Sequence, residues 1–276
     1  MINPAPASAT VERDGRSEAG VLLDVRNVSL RFGGIVALDN VSFHVDAGER
    51  VAVIGPNGAG KTSMFNVISR TYLEQEGTLA FDGVDLKVRP THRIASLGIG
   101  RTFQNIALFP SLTVRENVAL GRLAIEQPRW IPAMLGFPSE RHRQHDALER
   151  ADGALARLEI SEYADGPPVG LPYGVMRQIE LARALVGEPR LLLLDEPAAG
   201  LSSQEIERIS SVVRTVNEED GIALLVIEHR MDFVMALAQR IVVLDFGRVI
   251  ASGPPELIQR DKKVIEAYLG VPDDDF

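Results

Sequence analysis

The most telling absence in this chain of 276 residues is cysteine, of which it has none. Disulfides and thiolate metal sites are therefore excluded, and the composition fits a reducing compartment. No apolar run approaches the length of about 20 residues that a membrane-spanning helix needs. An excess of basic residues is also missing: the formal net charge is −9, which disfavours nucleic acid as a partner.

The first 20 residues are rich in Ala, Ser, Pro and charged side chains, and they lack the apolar stretch of a secretory signal. We expect residues 1–20 to form a flexible tail, followed by one domain over residues 21–276. The sequence shows no internal repeat, which favours a single unit over a tandem pair. Hydrophobic residues make up 45% of the chain, which is enough for a large core.

The most specific motif is the run Gly55-Pro56-Asn57-Gly58-Ala59-Gly60-Lys61-Thr62. It matches the phosphate-binding pattern G-x-x-x-x-G-K-[ST], whose glycines let successive backbone N–H groups point at phosphate oxygens. Lys61 is expected to reach the β- and γ-phosphates, and the Thr62 hydroxyl is expected to ligate Mg²⁺. An apolar strand over residues 51–54 and a helical pattern from Ser63 flank the loop, as the motif requires.

A pair of acids forms the second strong signal. Four leucines at residues 191–194 predict a buried strand, and Asp195 and Glu196 follow it directly. In open α/β sheets, ligand chemistry collects beyond the carboxyl ends of the strands. Asp195 is therefore predicted to orient Mg²⁺, directly or through water, and Glu196 is predicted to polarise an attacking water as general base.

The coarse pattern divides the chain into three parts. Alternating apolar residues predict strands over residues 22–31, 37–45 and 49–54, which we interpret as a small antiparallel sheet beside the nucleotide site. Residues 111–186 are mostly helical in pattern. Beyond residue 190, strands and helices alternate, which indicates a parallel sheet covered by helices.

Together, these motifs resemble the ATP-binding cassette (ABC) family over nearly all of the chain after Gly20. The resemblance implies an α/β fold: a P-loop NTPase (RecA-like) core with an N-terminal antiparallel β-subdomain and an inserted α-helical subdomain. We expect the core to comprise residues 21–107 and 188–276, and the helical subdomain about residues 108–187. The resemblance further implies an Mg²⁺-dependent ATPase with ATP and Mg²⁺ as cofactors, and Ser63 would join the phosphate-binding loop.

The resemblance also assigns roles to single residues elsewhere. Phe32 matches the aromatic side chain that stacks on adenine, although an ordinary core aromatic is the alternative. Gln104 matches the glutamine whose amide touches Mg²⁺ or the attacking water, and His229 matches the histidine that hydrogen-bonds the γ-phosphate; both would act with Glu196. Residues 198–202 are similar to the family's D-loop, which packs against the other subunit.

The signature motif departs from the family. Residues 171–175 read Leu-Pro-Tyr-Gly-Val where the pattern is L-S-G-G-Q, ahead of a helix expected over residues 176–186. Pro172 has neither the serine hydroxyl nor an N–H group, whereas Tyr173 and Gly174 would still face a nucleotide bound to the opposite subunit. We therefore hypothesise that this signature is the weaker half of an asymmetric pair.

Within the family, the chain is most similar to the ATP-binding subunits of branched-chain (hydrophobic) amino-acid importers. The similarity is carried by residues 31–38, 101–109, 112–118, 173–174, 196–201 and 264–270. It implies a peripheral protein on the cytoplasmic face of the inner (plasma) membrane, partnered by a second ABC ATPase subunit and integral membrane permease subunits. A periplasmic or extracellular binding protein would be an indirect partner.

Three alternatives remain open at this stage. The chain resembles importers of other small solutes such as urea, amides or small acids, or it is a soluble ABC ATPase without a transport role, or a small-molecule phosphoryl transferase. Residues 122–150 mix apolar side chains such as Trp130 with arginines and histidines. They either dock on a membrane protein or headgroups, or form a long helix–helix connection with its own small core. Arg230 follows His229 where relatives commonly have an acid, which puts the electrostatics of that loop in question.

Overall fold

The computed structural model describes residues 20–102, 106–125 and 138–269. Within these ranges, the strands are β1 Val21–Phe32, β2 Ile35–Asp46, β3 Arg50–Ile54, β4 Glu76–Phe81, β5 Val84–Asp85, β6 Ile99–Arg101, β7 Leu191–Asp195, β8 Ala223–Ile227, β9 Arg240–Asp245 and β10 Arg248–Gly253. The helices are α1 Lys61–Ile68, α2 Val114–Leu123, α3 Pro138–Arg157, α4 Tyr173–Leu185, α5 Ser203–Asp220, α6 Met231–Leu237, α7 Pro255–Ile258 and α8 Lys262–Leu269. Short 3₁₀ segments cover Thr91–Arg93, Ala95–Leu97 and Ser161–Tyr163.

The core is a six-stranded sheet in the order β10-β9-β3-β8-β7-β6. Its β9, β3, β8, β7 and β6 strands run parallel to their neighbours, and β10 closes one edge as an antiparallel hairpin with β9. Both β7 and β8 are buried at every residue, as continuous apolar strands covered on both faces should be. The expected α/β fold with a P-loop core is confirmed.

The expected three-stranded N-terminal sheet is wrong in one member. β1 pairs with β2 and β4 in an antiparallel sheet of order β2-β1-β4-β5, but β3 does not belong to it. Instead, β3 lies at the centre of the parallel sheet between β8 and β9. The reason is burial: Val51–Ile54 are apolar on both faces, which suits a doubly covered parallel strand rather than a strand with one wet face.

The helical lobe is packed around α2 and α4. Asn117, on α2, is fully buried, and its Oδ1 accepts the N–H of Phe109 at 2.7 Å while its Nδ2 donates to the Phe109 carbonyl at 3.1 Å. A methyl group on Gly121 would overlap the carbonyl oxygen of Arg183, so the α2 and α4 backbones meet at a distance that only glycine permits. The Arg183 guanidinium also donates to the Ala107 carbonyl at 2.6 Å.

No helix in residues 20–102, 106–125 or 138–269 combines the length and apolarity required to cross a bilayer. Residues 1–19 and 126–137 lie outside the described ranges, which removes nearly all of the expected tail and also Trp130, Ile131, Met134, Leu135 and Phe137 of the segment 122–150. The predictions made for those residues stay predictions.

Candidate active site

Two predicted halves of the site meet at the carboxyl edge of the core sheet. The phosphate loop, residues 55–62, follows β3 directly, and Glu196 follows β7. β8 lies between these strands, and its last residue, Ile227, is paired both with Val53 of β3 and with Asp195 of β7. The parallel register therefore brings the anion loop and the paired acids to the same edge of the sheet, one strand apart, as ligand sites of open α/β sheets require.

The phosphate loop is braced by backbone on two sides. Gly60, which precedes α1, has a φ of 100°. This left-handed backbone conformation would be strained in a residue with a side chain. A methyl group on Gly60 would also lie 2.5 Å from the Ala37 carbonyl oxygen of β2. On the other side, the N–H of Gly247 in the β9–β10 turn donates to the Ala59 carbonyl at 3.0 Å. Two hairpins thus fix the curl of the loop.

Lys61 is held inside this loop. Its ammonium donates to the carbonyl oxygens of Gly55 at 2.6 Å and Pro56 at 2.8 Å. Burial lowers the pKa of Lys61, and the nearby carboxylate of Glu196 acts in the opposite direction. The lysine of the anion loop and the acid after β7 therefore share one electrostatic environment.

Asp195 is a buried carboxylate that pairs with Arg101. Its Oδ2 accepts a hydrogen bond from Arg101 Nη2 at 3.1 Å, and its side chain is 4% exposed. The same guanidinium donates to Asn66 Oδ1 at 2.9 Å and to Ser69 Oγ at 2.7 Å, so it ties β6 and β7 to the end of α1. Burial raises the pKa of Asp195, and the hydrogen bond and charge of Arg101 oppose that rise.

Glu196 and His229 lie side by side. Glu196 has a φ of 48°, an uncommon conformation for a residue with a side chain, and its N–H donates to the Ile227 carbonyl at 2.9 Å. The Nδ1 atom of His229 lies 3.9 Å from Glu196 Oε1, and the imidazole is 55% exposed. A carboxylate and an imidazole thus lie close together at the ends of β7 and β8.

Gln104 lies outside the described residues, so its predicted contacts with metal and water stay predictions. The strand that leads to it does reach the site. Thr102 donates its N–H to the Leu193 carbonyl at 2.9 Å, and its hydroxyl accepts the N–H of Asp195 at 3.3 Å. The chain before Gln104 is therefore anchored beside the buried acid.

Phe32 is the last residue of β1, in the antiparallel sheet. Its side chain is 46% exposed, and its ring meets the edge of Tyr72 with centroids 5.1 Å apart. That exposure is inconsistent with an ordinary core aromatic, the alternative left open above. Stacking of Phe32 on adenine remains a prediction.

The signature segment differs from its predicted form in where the helix begins. α4 starts at Tyr173, three residues before the expected residue 176, and Pro172 is its N-cap. Proline is tolerated here because the first N–H groups of a helix have no intrahelical partner. No side chain caps this terminus, which agrees with the loss of the family's serine. Val175 packs against the helical core rather than facing outward as a glutamine would.

Tyr173 connects the signature to the predicted D-loop. Its ring lies 5.4 Å from the Arg177 guanidinium carbon, and a methyl group on Gly200 would come 3.2 Å from its Cε1. Gly174 faces Glu205, whose carboxylate completes a capping box with Ser202 at the start of α5. Tyr173 therefore lies beside Gly200 of the predicted D-loop.

Sequence reasoning missed three residues at this edge: Arg101, Glu228 and Tyr268. Glu228 could have been found by the reasoning that identified Asp195, because it is an acid at the carboxyl end of an all-apolar strand. Tyr268 is half-exposed on α8; burial raises its pKa, and the nearby Gly55 backbone opposes that rise. The local sequence gives no indication of this proximity, since 213 positions separate the two residues. Arg230, whose loop was in question, pairs with Asp232 at 2.8 Å, so an acid does lie nearby.

The motifs agree with comparisons against known proteins. A family model described as "ABC transporter" matches residues 38–199, and one described as "Branched-chain amino acid ATP-binding cassette transporter" matches residues 248–274. The chain is 36% identical over 249 residues to the high-affinity branched-chain amino acid transport ATP-binding protein BraF of Pseudomonas aeruginosa, covering 90% of this chain and 98% of BraF. It is 38% identical over the same length and coverage to LivG, of the same description, from Escherichia coli.

Solved structures give the same answer for the fold. A nucleotide-free ATP-binding cassette from an ABC transporter superposes with a TM-score of 0.80 at 30% identity, covering 91% of this chain and 100% of that chain. A cassette in its ADP conformation superposes with a TM-score of 0.79 at 31% identity, covering 91% and 99%. The resemblance carried by the motifs is thereby confirmed. This chain belongs to the ABC transporter family of ATP-binding cassette proteins.

Proposed function

We propose that this chain is the ATP-hydrolysing subunit of a membrane importer for branched-chain or other small polar or hydrophobic amino acids. The observation that carries the proposal is the meeting of the phosphate loop, Asp195, Glu196 and His229 at one sheet edge. The cargo class is supported by the match of residues 248–274 and by the names of BraF and LivG. The family implies nucleotide binding and ATP hydrolysis.

The residues divide the reaction between them. N–H groups of the phosphate loop and the start of α1 hold the phosphates, and Lys61 exchanges its two carbonyl partners for phosphate oxygens. Glu196 accepts a proton from the water that attacks the γ-phosphorus, and the bond to the β-phosphate oxygen breaks to release ADP and phosphate. His229 donates a hydrogen bond to the γ-phosphate from beside Glu196.

The donor set fits Mg²⁺. Thr62 offers a hydroxyl at the start of α1, Asp195 a buried carboxylate and Gln104 an amide oxygen, and Mg²⁺ prefers oxygen ligands. Among the described residues, no group of three or more His, Cys, Asp or Glu has a metal-binding arrangement. When bound, Mg²⁺ supplies charge neutralisation to the phosphates.

The proposed assembly follows the family. Two cassettes bind ATP at their shared face, each phosphate loop facing the other's signature, and permease subunits convert closure and opening into movement of cargo. Residues 21–107 and 188–276 form the nucleotide-binding core, and about residues 108–187 form the helical subdomain. The complex works at the cytoplasmic face of the inner membrane with a binding protein on the other side.

The test is reconstitution of the chain with its second cassette, permeases and binding protein in liposomes. ATP hydrolysis should require Mg²⁺ and should drive uptake of labelled leucine. Glu196→Gln should lower turnover by about 10²-fold or more while the affinity for ATP stays unchanged.

The matched control is Glu207→Gln, which neutralises an exposed acid on α5 and should leave turnover unchanged. Equal turnover in Glu196→Gln and the control would refute the assignment of the base. Normal hydrolysis with uptake of urea or amides but not of leucine would refute the cargo while leaving the ATPase intact.

A further inference from the structure

Glu228 is a fully buried carboxylate in the first position after β8. Removing a carboxylate from water is costly unless hydrogen bonds replace its hydration. In this chain the replacement comes from backbone amides, and those amides belong to two different loops.

The two carboxylate oxygens of Glu228 divide between the loops. Its Oε2 accepts the N–H of Ala198, in the loop after β7, at 2.9 Å. Its Oε1 accepts the N–H groups of His229 at 2.9 Å and of Arg230 at 3.0 Å, in the loop after β8. The same Oε1 lies 3.4 Å from His229 Nδ1. Hydrogen bonds to an ionised acceptor are short and strong, so this carboxylate fastens one loop to the other.

The loops that Glu228 joins carry the groups of the reaction. Ala198 lies two residues after Glu196, and His229 is itself one of the partners. We propose that Glu228 is a positioning residue, which holds the loop after β7 and the loop after β8 in one arrangement so that Glu196 and His229 face the same γ-phosphate. The proposal rests on the proposed function, because it presumes hydrolysis at this edge.

A carboxylate is required because the three backbone groups are all donors. The amide of Gln has the same shape, but it offers one acceptor oxygen and one NH₂ group. Whichever way it turned, the NH₂ would face the N–H of Ala198 or those of His229 and Arg230. Glu228→Gln therefore removes the fastening on one side and keeps the volume that the buried site needs.

The first measurement compares Glu228→Gln with wild type as full-length chains in the reconstituted complex. Turnover should fall about 10- to 100-fold, because displacement of a reacting group by about 1 Å can cost 10²-fold, while the affinity for ATP changes less than about threefold. The matched control is Asp232→Asn, which removes a negative charge four residues away that pairs with exposed Arg230. The control should keep wild-type turnover and affinity.

A double-mutant cycle with His229→Ala separates positioning from a purely structural role. If Glu228 acts by holding Glu196 and His229 together, the two substitutions should be coupled: Glu228→Gln should lower the residual turnover of His229→Ala by a smaller factor than it lowers that of wild type. A full multiplicative loss in the double variant, or unchanged turnover in Glu228→Gln alone, overturns the proposal. Should Glu228→Gln not fold, Glu228→Asp keeps the charge but shortens its reach, and the same loss of turnover at unchanged affinity is expected. An inactive wild type would instead count against the proposed function.

Discussion

The phosphate loop and the signature segment share a backbone arrangement but differ in the residues that form it. Each is a turn that leads into the positive end of a helix, α1 or α4, and each is expected to face phosphate. The residue before α1 is Gly60, packed against the backbone of β2. The residue before α4 is Pro172, which has no N–H group to donate. Two residues later, Gly174 packs against the side chain of Glu205 rather than against backbone.

The two surroundings differ in how they respond to substitution. The phosphate loop is fixed by other backbone, so a change in it must disturb two hairpins. The start of α4 is lined by the side chains of Arg177 and Glu205, which can move, so we expect it to accept substitutions more readily. The four predictions below probe this contrast, from the largest expected effect to the smallest.

Lys61→Ala should weaken ATP binding at least about 100-fold, because it removes the cation that the loop holds for the phosphates. Calorimetric titration of the full chain with Mg-ATP measures the effect. Lys263→Ala, which removes an exposed cation of α8, is the control and should bind normally. Normal ATP binding by Lys61→Ala would contradict the assignment of Lys61 and its loop to the phosphate-binding site.

Gly60→Ala and Gly174→Ala form a matched pair. The first puts a methyl group 2.5 Å from a backbone carbonyl at a φ of 100°, and it should cost about 2–3 kcal/mol of unfolding free energy. The second puts a methyl group 2.5 Å from Glu205 Oε1, at the end of a side chain that can rotate, and should cost less than about 1 kcal/mol. Urea unfolding measures both. Equal costs would contradict the contrast between backbone and side-chain surroundings.

Pro172→Ser should restore a cap at the start of α4 and a hydroxyl toward the opposite nucleotide. A serine N-cap adds about 1 kcal/mol to helix stability. If the hydroxyl instead hydrogen-bonds the transition state with about the same energy, turnover of the assembled pair should rise about fivefold. The measurement disables the glutamate base of each cassette in turn and records the remaining hydrolysis. If both losses are equal in the unsubstituted pair, the hypothesis of an asymmetric pair is wrong.

Glu49→Gln tests the far end of the strand that carries the phosphate loop. Burial of Glu49 alone raises its pKa, but hydrogen bonds from Arg240 and from the Asp46 N–H outweigh burial, so the pKa lies below its ordinary value of 4.5. Its stabilisation is thus present above that value and disappears as the pH falls through the folded-state pKa. Glu49→Gln should cost about 0.5–1 kcal/mol at pH 7, and the cost should vanish in acid.

Urea unfolding of Glu49→Gln and wild type between pH 7 and pH 3 measures this difference. Glu207→Gln provides the control, since it neutralises an exposed acid. A cost that does not change with pH would contradict the role given to the Glu49–Arg240 pair, whose atoms lie 2.7 Å apart.

The sequence predicted those parts of the site in which neighbours along the chain are neighbours in space. The phosphate loop is such a part, because its flanking strand, turn and helix are contiguous. The sheet to which β3 belongs could not be predicted in this way, because its partner β8 lies about 170 residues later and the residues near β3 do not indicate that pairing. The start of α4 was misplaced because Pro172 and Gly174 look like helix breakers, although a helix terminus accepts both.

Glu228 shows the same limit for function. Its position after an apolar strand was visible, but its role depends on the N–H of Ala198, 30 residues away along the chain. The roles of Phe32 and Gln104 depend on a bound nucleotide, so they remain predictions whatever the quality of the local pattern.

Finally, the glycine contact between α2 and α4 has a mechanical consequence. Because the Gly121 backbone touches the Arg183 carbonyl with no side chain between them, the two helices have no compressible layer along which to slide. We therefore expect a displacement of α2 to be transmitted to α4 and along that helix toward Pro172. A methyl group at position 121 would clash with the Arg183 carbonyl and force the two helices apart, which should weaken this transmission.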